Sequence, residues 1–495
     1  MTDLEGNYSI EVPIGDVTLE FVSLGYSTKR VALPASQSVL NVYLTESSTE
    51  LDATVVVGYG TTKKVNLTGA VSVVESDAIS NRSSANLGSI LQGTVPGLTV
   101  TAATGRPGQT SSLNIRGFTS INGGNPLVLV DGVEGDLSRV NPNDVESVSV
   151  LKDASSAAVY GARASFGVIL VTTKQGSEDD GFATVRYSGK FGFTAPTAET
   201  DWETRGYYSV YINNLFHQNY NGKQAVTYTQ ADMDELWARR NDVTENPERP
   251  WVIIDQRMGR DTYVYYGNTD WWHYWFNDIK PTQNHSVSFS GSTKRMKYFL
   301  SGNYNKEQGM FRQNPDIYQK YNLHSRLSFD VNKWLNVSNN TSYFKSTYTY
   351  PGFSDFNSTF YHTTASAFAC FVPINPDGTV VGANDYTSNA IGAGINTILH
   401  NENWKNSETQ NHIQTTTEVT ITPIKELEIK ANYTYYYNTS STMNRTVNND
   451  YSQIPGIVET VTSGDYGQDK LYERINAHTF SSTNVYATYT DSFKD

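Results

Sequence analysis

The side chains that could do chemistry are scattered along this chain. Its eight histidines, at 217, 273, 285, 324, 362, 400, 412 and 478, include no two within five residues of each other. No HExxH, GxSxG, GxxxxGK[ST] or EF-hand pattern occurs. The single Cys370 excludes an intramolecular disulfide and a cysteine-based zinc site. Three stretches imitate sites. Gly58-Tyr59-Gly60-Thr61-Thr62-Lys63 is only superficially a phosphate loop, because its glycine spacing is wrong. Glu178-Asp179-Asp180 offers metal-binding carboxylates, but a solvated linker is the simpler reading. Trp271-Trp272-His273-Tyr274-Trp275-Phe276 offers flat faces for sugar rings, while local packing or an interface belt explains it with less. The sequence therefore predicts no catalytic residue, no metal ligand and no cofactor.

The elements behind these residues say more. The chain has 495 residues, room for roughly three domains. Its net charge of −13, with no basic stripe, argues against nucleic-acid binding. A charged content of 18% with 12% aromatics argues against disorder. No apolar run reaches the ~18 residues of a transmembrane helix. Met1 to Gly6 lack the basic and apolar regions of a signal peptide.

Residues 1–45 read as about four strands, among them Tyr8–Val12, Val17–Val22 and Val39–Leu44, and so as the end of a small β-sandwich. Residues 46–64 form a linker holding the apolar run Val55-Val56-Val57 before Gly58, Tyr59 and Gly60. Residues 65–178 mix short elements into an α+β domain. Ser84 is expected to cap a helix through Leu87, Ile90 and Leu91. Asp131-Gly132 after Leu127–Val130 signals a hairpin. Val145–Leu151 and Phe166–Thr173 read as strands. Asp153 is expected to cap an Ala/Ser-rich helix ended by Gly161.

Residues 179–495 change rhythm. Tyr321, Leu323, Leu327, Phe329 and Val331 alternate with Asn322, His324, Arg326, Ser328 and Asp330. The same beat recurs in about eight segments. Short turns near 291–296, 332–334 and 423–426 contrast with long loops at about 195–282, 305–319, 349–410 and 441–475. That asymmetry marks an outer-membrane β-barrel, with Trp334, Tyr343, Tyr348 and Tyr435 suited to an interfacial girdle. A soluble sandwich or adhesin also alternates. An eight-stranded barrel has no room for a globular domain, and a barrel that has needs roughly 22 strands. The expected fold class is therefore mainly β: a partial transmembrane antiparallel barrel, an α+β plug and the end of a β-sandwich, with further strands expected beyond Asp495 and further sequence before Met1.

The middle region resembles the plug of SusC/RagA-type TonB-linked outer-membrane transporters. The resemblance runs through Leu91-Gln92-Gly93-Thr94-Val95-Pro96-Gly97, Ile115-Arg116-Gly117, Asn125 to Gly132, Val150-Leu151-Lys152-Asp153, Tyr160-Gly161-Ala162-Arg163 and Gly167 to Lys174. Arg116, Gly117, Asp131, Gly132, Lys152, Asp153, Tyr160 and Gly161 are its plug-motif residues. Residues 1–45 resemble the end of a carboxypeptidase-regulatory-like domain, and Asn268-Thr269-Asp270-Trp271 also resembles the family. Leu51 to Gly60 falls at the TonB-box-like segment, which would put Val55, Val56, Val57, Gly58 and Tyr59 against TonB.

The resemblance implies an outer-membrane importer whose plug gates the barrel, with its N-terminal segment facing the periplasm. TonB with ExbB/ExbD would supply work from the proton-motive force, and a SusD-like surface lipoprotein would act as a lid. The cargo would be a large nutrient, oligosaccharide or peptide. A ligand-sensing receptor of the same architecture and a secreted glycan-binding β-protein are the alternatives.

Overall fold

The computed structural model describes the chain outside residues 1–7, 13–14, 16, 22–28, 35, 37–38, 45–53, 58–59, 64–70, 83, 103, 116, 118–123, 154–156, 177–182, 354–355, 366, 383–393, 462–468 and 491–495. Near the start, β1 (Val17–Phe21) pairs antiparallel with β2 (Lys29–Leu33). The segments 8–12 and 39–44, expected as strands, are irregular; the Tyr8 hydroxyl donates to the Leu40 carbonyl at 2.9 Å. Alternation makes a segment fit for a sheet, but a ladder also needs a neighbour. The expected sandwich end is thus a two-stranded ladder among the described residues. The segment expected as a linker holds another hairpin, β3 (Thr54–Val57) with β4 (Gly60–Lys63).

The next unit contains β5 (Val71–Glu75), β6 (Leu98–Thr101), β7 (Ser112–Ile115), β8 (Leu127–Val130), β9 (Val133–Glu134), β10 (Val145–Leu151) and β11 (Val168–Thr173). Five of them make one sheet in the order β5-β10-β11-β8-β9, parallel only between β8 and β11. The Asp-Gly signal is realised. Asp131 (φ 47°) and Gly132 (φ 82°) join the paired Val130 and Val133, both left-handed as a two-residue hairpin of this twist requires. Ile79, Leu87, Ile90, Leu91, Val145, Val148 and Val150 form a core fully shut from solvent.

Two helix expectations need correction. The cap of Leu87–Ile90 is Asn86, whose side-chain oxygen accepts from the Gly88 N–H at 2.9 Å. Ser84 lies too far ahead and accepts from the Asn86 N–H instead. The helix expected after Asp153 is a pair of 3₁₀ turns across Ala158–Ala164, kinked at Gly161 (φ 65°, ψ −153°), so Gly161 bends the segment without ending it. Asp153 contributes its carbonyl, which accepts from the Ala157 N–H.

The remaining strands are β12 (Ala183–Thr194), β13 (Val252–Arg257), β14 (Arg260–Tyr265), β15 (Lys280–Ser292), β16 (Met296–Gln308), β17 (Ile317–Asn332), β18 (Leu335–Tyr350), β19 (Asn406–Ile424), β20 (Leu427–Thr446), β21 (Asn449–Ile454), β22 (Ile457–Val461) and β23 (Lys470–Tyr489). Eight make one antiparallel wall, in the order β12-β15-β16-β17-β18-β19-β20-β23. These strands run 12 to 20 residues, longer than the 9–11 or so that cross a bilayer. Register sorts their side chains. Tyr321, Leu323, Leu327 and Phe329 are exposed on one face, while Lys320, Asn322 and His324 are buried on the other. A one-residue slip would exchange the two sets, so the pattern fixes the pairing.

The short turns fall where expected, but the loop expected over 305–319 is shorter, confined to 309–316, because β16 and β17 pair out to Gln308 and Ile317. The long connections are folded as well. They carry helices at Gly206–Asn221, Gln230–Arg239, Trp271–Trp275, Phe356–Ala365 and Ile395–His400, and the hairpins β13–β14 and β21–β22. Trp271, Trp275, Phe276, Tyr265, Phe371 and Trp404 join in one buried aromatic core. The run from Trp271 to Phe276 is therefore packing, cemented by the Trp271 indole donating to the Phe368 carbonyl at 3.0 Å. Tyr348, placed by the sequence in a girdle, is 3% exposed on the inner face and donates its hydroxyl to Asp316.

Candidate functional site

The α+β unit lies against the inner face of the wall, where Phe299 and Phe344 are buried, and many hydrogen bonds cross between the two. Asp131 is their hub. Its Oδ1 accepts from the Thr173 N–H at 2.9 Å and from Arg326 at 3.2 Å. Its Oδ2 accepts from the Thr173 hydroxyl at 2.6 Å and from the Asn340 amide at 2.7 Å. Arg326 also donates to the Thr173 carbonyl at 3.1 Å. The left-handed hairpin turn aims the Asp131 carboxylate at the wall and at the end of β11 together.

Similar bonds continue along the seam. The Asn322 amide donates to the Arg139 carbonyl at 2.6 Å, and Arg139 donates to the His412 ring at 3.2 Å. Lys320, 3% exposed, reaches the Ala85 carbonyl at 2.8 Å. The Ser301 hydroxyl donates to Asp144 at 2.7 Å. Burial pushes the Asp144 carboxyl up, opposed by nearby His324 and the Ser301 bond. Among the described residues Asp144 Oδ1 and His324 Nδ1 accept or donate no hydrogen bond, although His324 Nδ1 lies 3.9 Å from Asp144 Oδ2, and both residues line a small cavity of about 70 Å³ in the seam. A polar space of that size can hold water.

Toward the loop side of the wall, Arg106 forks onto Glu408 at 2.5 and 3.4 Å and stacks 4.5 Å above the Tyr348 ring. The Gly108 N–H donates to Glu307 at 3.1 Å. This tip of the α+β unit forms the floor of a chamber of about 970 Å³, with the inner wall at its side and Trp272, Phe360 and Tyr361 above it. At the opposite, short-turn side, Gly176 passes so close to the wall that a Cβ there would lie 2.6 Å from the Gly291 carbonyl oxygen.

The sequence-derived residues divide between two places. Asp131 and Gly132 stand at the seam. Lys152 bridges β10 to β5 by donating to the Ser72 hydroxyl at 2.6 Å. Tyr160 packs on the small core of Leu129, Leu151 and Val168, with Asp153 and Gly161 in the same stretch of chain. These four shape the domain away from the wall. Gly117 follows β7 at φ 83°. Val55, Val56 and Val57 are strand residues paired with Gly60 to Thr62. Gly58, Tyr59, Arg116 and the acidic run 178–180 lie outside the described residues.

Sequence reasoning missed the wall's share: Arg326, Asn340, Asn322, Lys320 and Glu408. The one signal available was parity, since these are polar residues at inward positions of strands whose outward positions are apolar.

Comparison with known proteins bears on this arrangement. Residues 63–168 match the family described as TonB-dependent Receptor Plug Domain. The chain is 33% identical over 344 residues, 68% of its length, to TonB-dependent receptor P3 of Formosa agariphila, covering 29% of that protein. It is 30% identical over 324 residues, 63% of its length, to TonB-dependent receptor SusC of Bacteroides thetaiotaomicron, covering 28%. The chain thus spans less than a third of the length of these relatives. Among solved structures, that of the RagAB peptide importer in the open-open state superposes with a TM-score of 0.66 over 90% of this chain and 47% of that one, at 24% identity. That likeness shows the fold.

Proposed function

We infer the function from a premise: this chain is related to the SusC-type TonB-dependent receptors, with residues 63–168 as its plug. It acts in the bacterial outer membrane as plug and wall of a TonB-dependent importer of large nutrients, oligosaccharides or peptides. The observation that carries this reading is the polar seam. A stopper meant to stay would bury apolar surface against its wall. This one is held by Asp131, Arg326, Asn340, Asn322, Lys320, Arg106 and Glu408, groups that water can satisfy when the plug shifts. Most of the interface can therefore open and reseal by exchanging protein hydrogen bonds for water, with Phe299 and Phe344 as buried apolar members of the inner face.

The segment around Val55, Val56 and Val57 is the TonB-interacting strand. As β3 of a two-stranded hairpin it keeps one edge able to pair with a partner's sheet, with backbone hydrogen bonds supplying affinity. TonB, energised through ExbB/ExbD and the proton-motive force, pulls there from the periplasm. The chamber above Arg106 receives the substrate, and a SusD-like lipoprotein covers it. Residues 1–45 are the end of the domain preceding the plug, and residues 179–495 belong to the barrel wall and its outer loops.

The test is deletion of residues 51–60 in the full-length protein. Uptake of the nutrient should be lost while heat-modifiable gel mobility, the mark of an assembled barrel, is retained. Uptake that survives the deletion would show that import is not energised through this segment.

A further inference from the structure

The small cavity in the seam is lined by polar atoms that the seam leaves unanswered. Arg139, Asp144, Asn322 and His324 all line it. Each carries a buried atom with no hydrogen bond among the described residues: Arg139 Nε, Asp144 Oδ1, Asn322 Oδ1 and His324 Nδ1. Leaving buried polar atoms unpaired is costly, so four around one space call for an explanation.

Two of these residues meet across the boundary between plug and wall. Asp144 ends the plug turn Pro142–Asp144, and His324 stands in the middle of β17. Both are more than nine-tenths buried. Both are also held in place. The Asp144 N–H donates to the Asn141 carbonyl at 3.0 Å, and its carbonyl accepts from the Lys174 N–H at 2.8 Å. The His324 ring packs against Phe299 at 5.8 Å, and its Nε2 lies 2.9 Å from Asn340 Oδ1.

That last contact sets the tautomer. Asn340 turns its amide N–H to the Asp131 carboxylate at 2.7 Å, so the oxygen it shows to the ring can only accept. Nε2 therefore carries a proton. In the neutral ring Nδ1 is then a bare acceptor, 3.9 Å from Asp144 Oδ2. An ionised carboxylate beside it is a second acceptor. One further proton turns the two into donor and acceptor. Burial pushes the Asp144 carboxyl up, which favours a proton within this pair.

The charged groups around the cavity are occupied with other partners. On the plug side, Asp131 is paired with Arg326 of β17, and Asp136 accepts from the Ser138 N–H. Arg139 donates to the ring of His412 on β19, and Lys174 donates to the Asn143 carbonyl at 2.9 Å. None of these groups supplies a donor to His324 Nδ1.

We propose, building on the reading of this unit as a movable plug, that Asp144 and His324 share one proton and so latch the plug to the wall. The proton passes from cavity water to Nδ1 and makes an imidazolium–carboxylate contact of zero net charge. When the plug shifts, the pair separates and the proton returns to water. Seating takes up a proton and unseating releases it, so the latch firms as pH falls and weakens as pH rises. A free imidazole titrates at about 6.5. The latch is therefore fully made below that pH and is lost progressively above it, by about tenfold per pH unit at most for one proton.

The experiment is amide hydrogen exchange on full-length protein in detergent at pH 6 and pH 8.5, expressed as protection factors over residues 137–146. Protection should be about tenfold greater at pH 6. Asp144→Asn puts a permanent N–H donor opposite Nδ1 and should be well protected at both pH values. His324→Gln should lose the pH response, and His412→Gln should keep it. Heat-modifiable mobility should be retained in all three. Equal protection at the two pH values in the unaltered protein, or a response that survives in Asp144→Asn or His324→Gln, would overturn the latch. So would a response abolished by His412→Gln, which would move the titration to Arg139 and His412. The importer reading is tested separately, by uptake after deletion of residues 51–60, which takes no residue from this cavity.

Discussion

Asp131 and Arg326 meet at 3.2 Å across 195 residues of sequence, one in a hairpin turn of the plug and the other in the middle of wall strand β17. Both are only partly accessible, and the carboxylate accepts three further bonds from Thr173 and Asn340. Removing one partner of such a pair leaves the other charge facing a poorly solvated seam, which costs ~3–5 kcal/mol for a buried pair. Asp131→Ala should therefore loosen the plug, read as larger single-channel currents in planar bilayers and faster amide exchange at β11. Arg326→Ala should act in the same direction, and the double variant by less than the sum. Strict additivity would show that the two are not coupled.

The rim opposite the chamber depends on the absence of a side chain. A Cβ on Gly176 would sit 2.6 Å from both the Gly291 oxygen and the Tyr298 nitrogen, which are backbone atoms that cannot swing aside. Gly176→Ala should push the plug off the wall and make full-length protein sensitive to proteolysis within residues 71–176. Gly105→Ala, where a Cβ meets nothing within 4 Å, should leave digestion unchanged. The reverse ranking would disprove the close approach.

Arg106 and Glu408 fasten the plug tip beneath the chamber, and Glu408→Gln keeps shape while removing charge. A charge-assisted bond is about twice as strong as a neutral one. A spin label at Gln109 should therefore become more mobile in Glu408→Gln, with a smaller change at Asp136. Unchanged spectra at Gln109 would mean that the loop is held by other contacts.

The folded loops carry an acid-sensitive buttress. Asp232 lies in the capping box of Gln230–Arg239 and accepts from Arg257 and the Tyr266 hydroxyl. Burial alone would raise its carboxyl, but the bonds from Arg257, Tyr266 and Thr229 prevail and hold it at about 2, below the ordinary 3.8. A depressed carboxyl contributes stability that is fully present above its unfolded value and is lost as pH falls toward its folded one, here between about pH 4 and 2. The contribution is roughly 2 kcal/mol. Intrinsic tryptophan fluorescence of the loop core should report loosening in that window. Asp232→Asn should be less stable at neutral pH and should lack this pH dependence.

How much of this could be read beforehand follows from where each signal resides. Strand parity is local, so the eight wall strands and the outward set Leu323, Leu327 and Phe329 were legible from alternation. The Asp131-Gly132 turn was legible because its backbone demand names its residues. The loop core was not, since Trp271, Phe371 and Trp404 are brought together by chain folding that no short-range period encodes. Ser84 misled because a one-turn helix offers several polar residues ahead of it, and only the realised backbone shows that Asn86 has the reach. The girdle assignment of Tyr348 failed on parity: it shares the inward face with Phe344 and Tyr350. Asp131 was chosen for its motif, whereas its partners Arg326 and Asn340 carry no motif at all.

The position of β5 sets how the plug would yield to tension. Among the described residues β5 has a single neighbour, β10, to which it is joined by five register pairs from Val71–Leu151 to Glu75–Ser147. β10 and β11 are each flanked on both sides, and the end of β11 is tied through Thr173 to Asp131 and Arg326. A tug entering upstream of Val71 thus reaches the weakest seamstress first. The outermost ribbon would peel away as a mechanical fuse while the doubly flanked ribbons stayed moored, opening a partial passage and leaving a scaffold on which the ribbon could rewind.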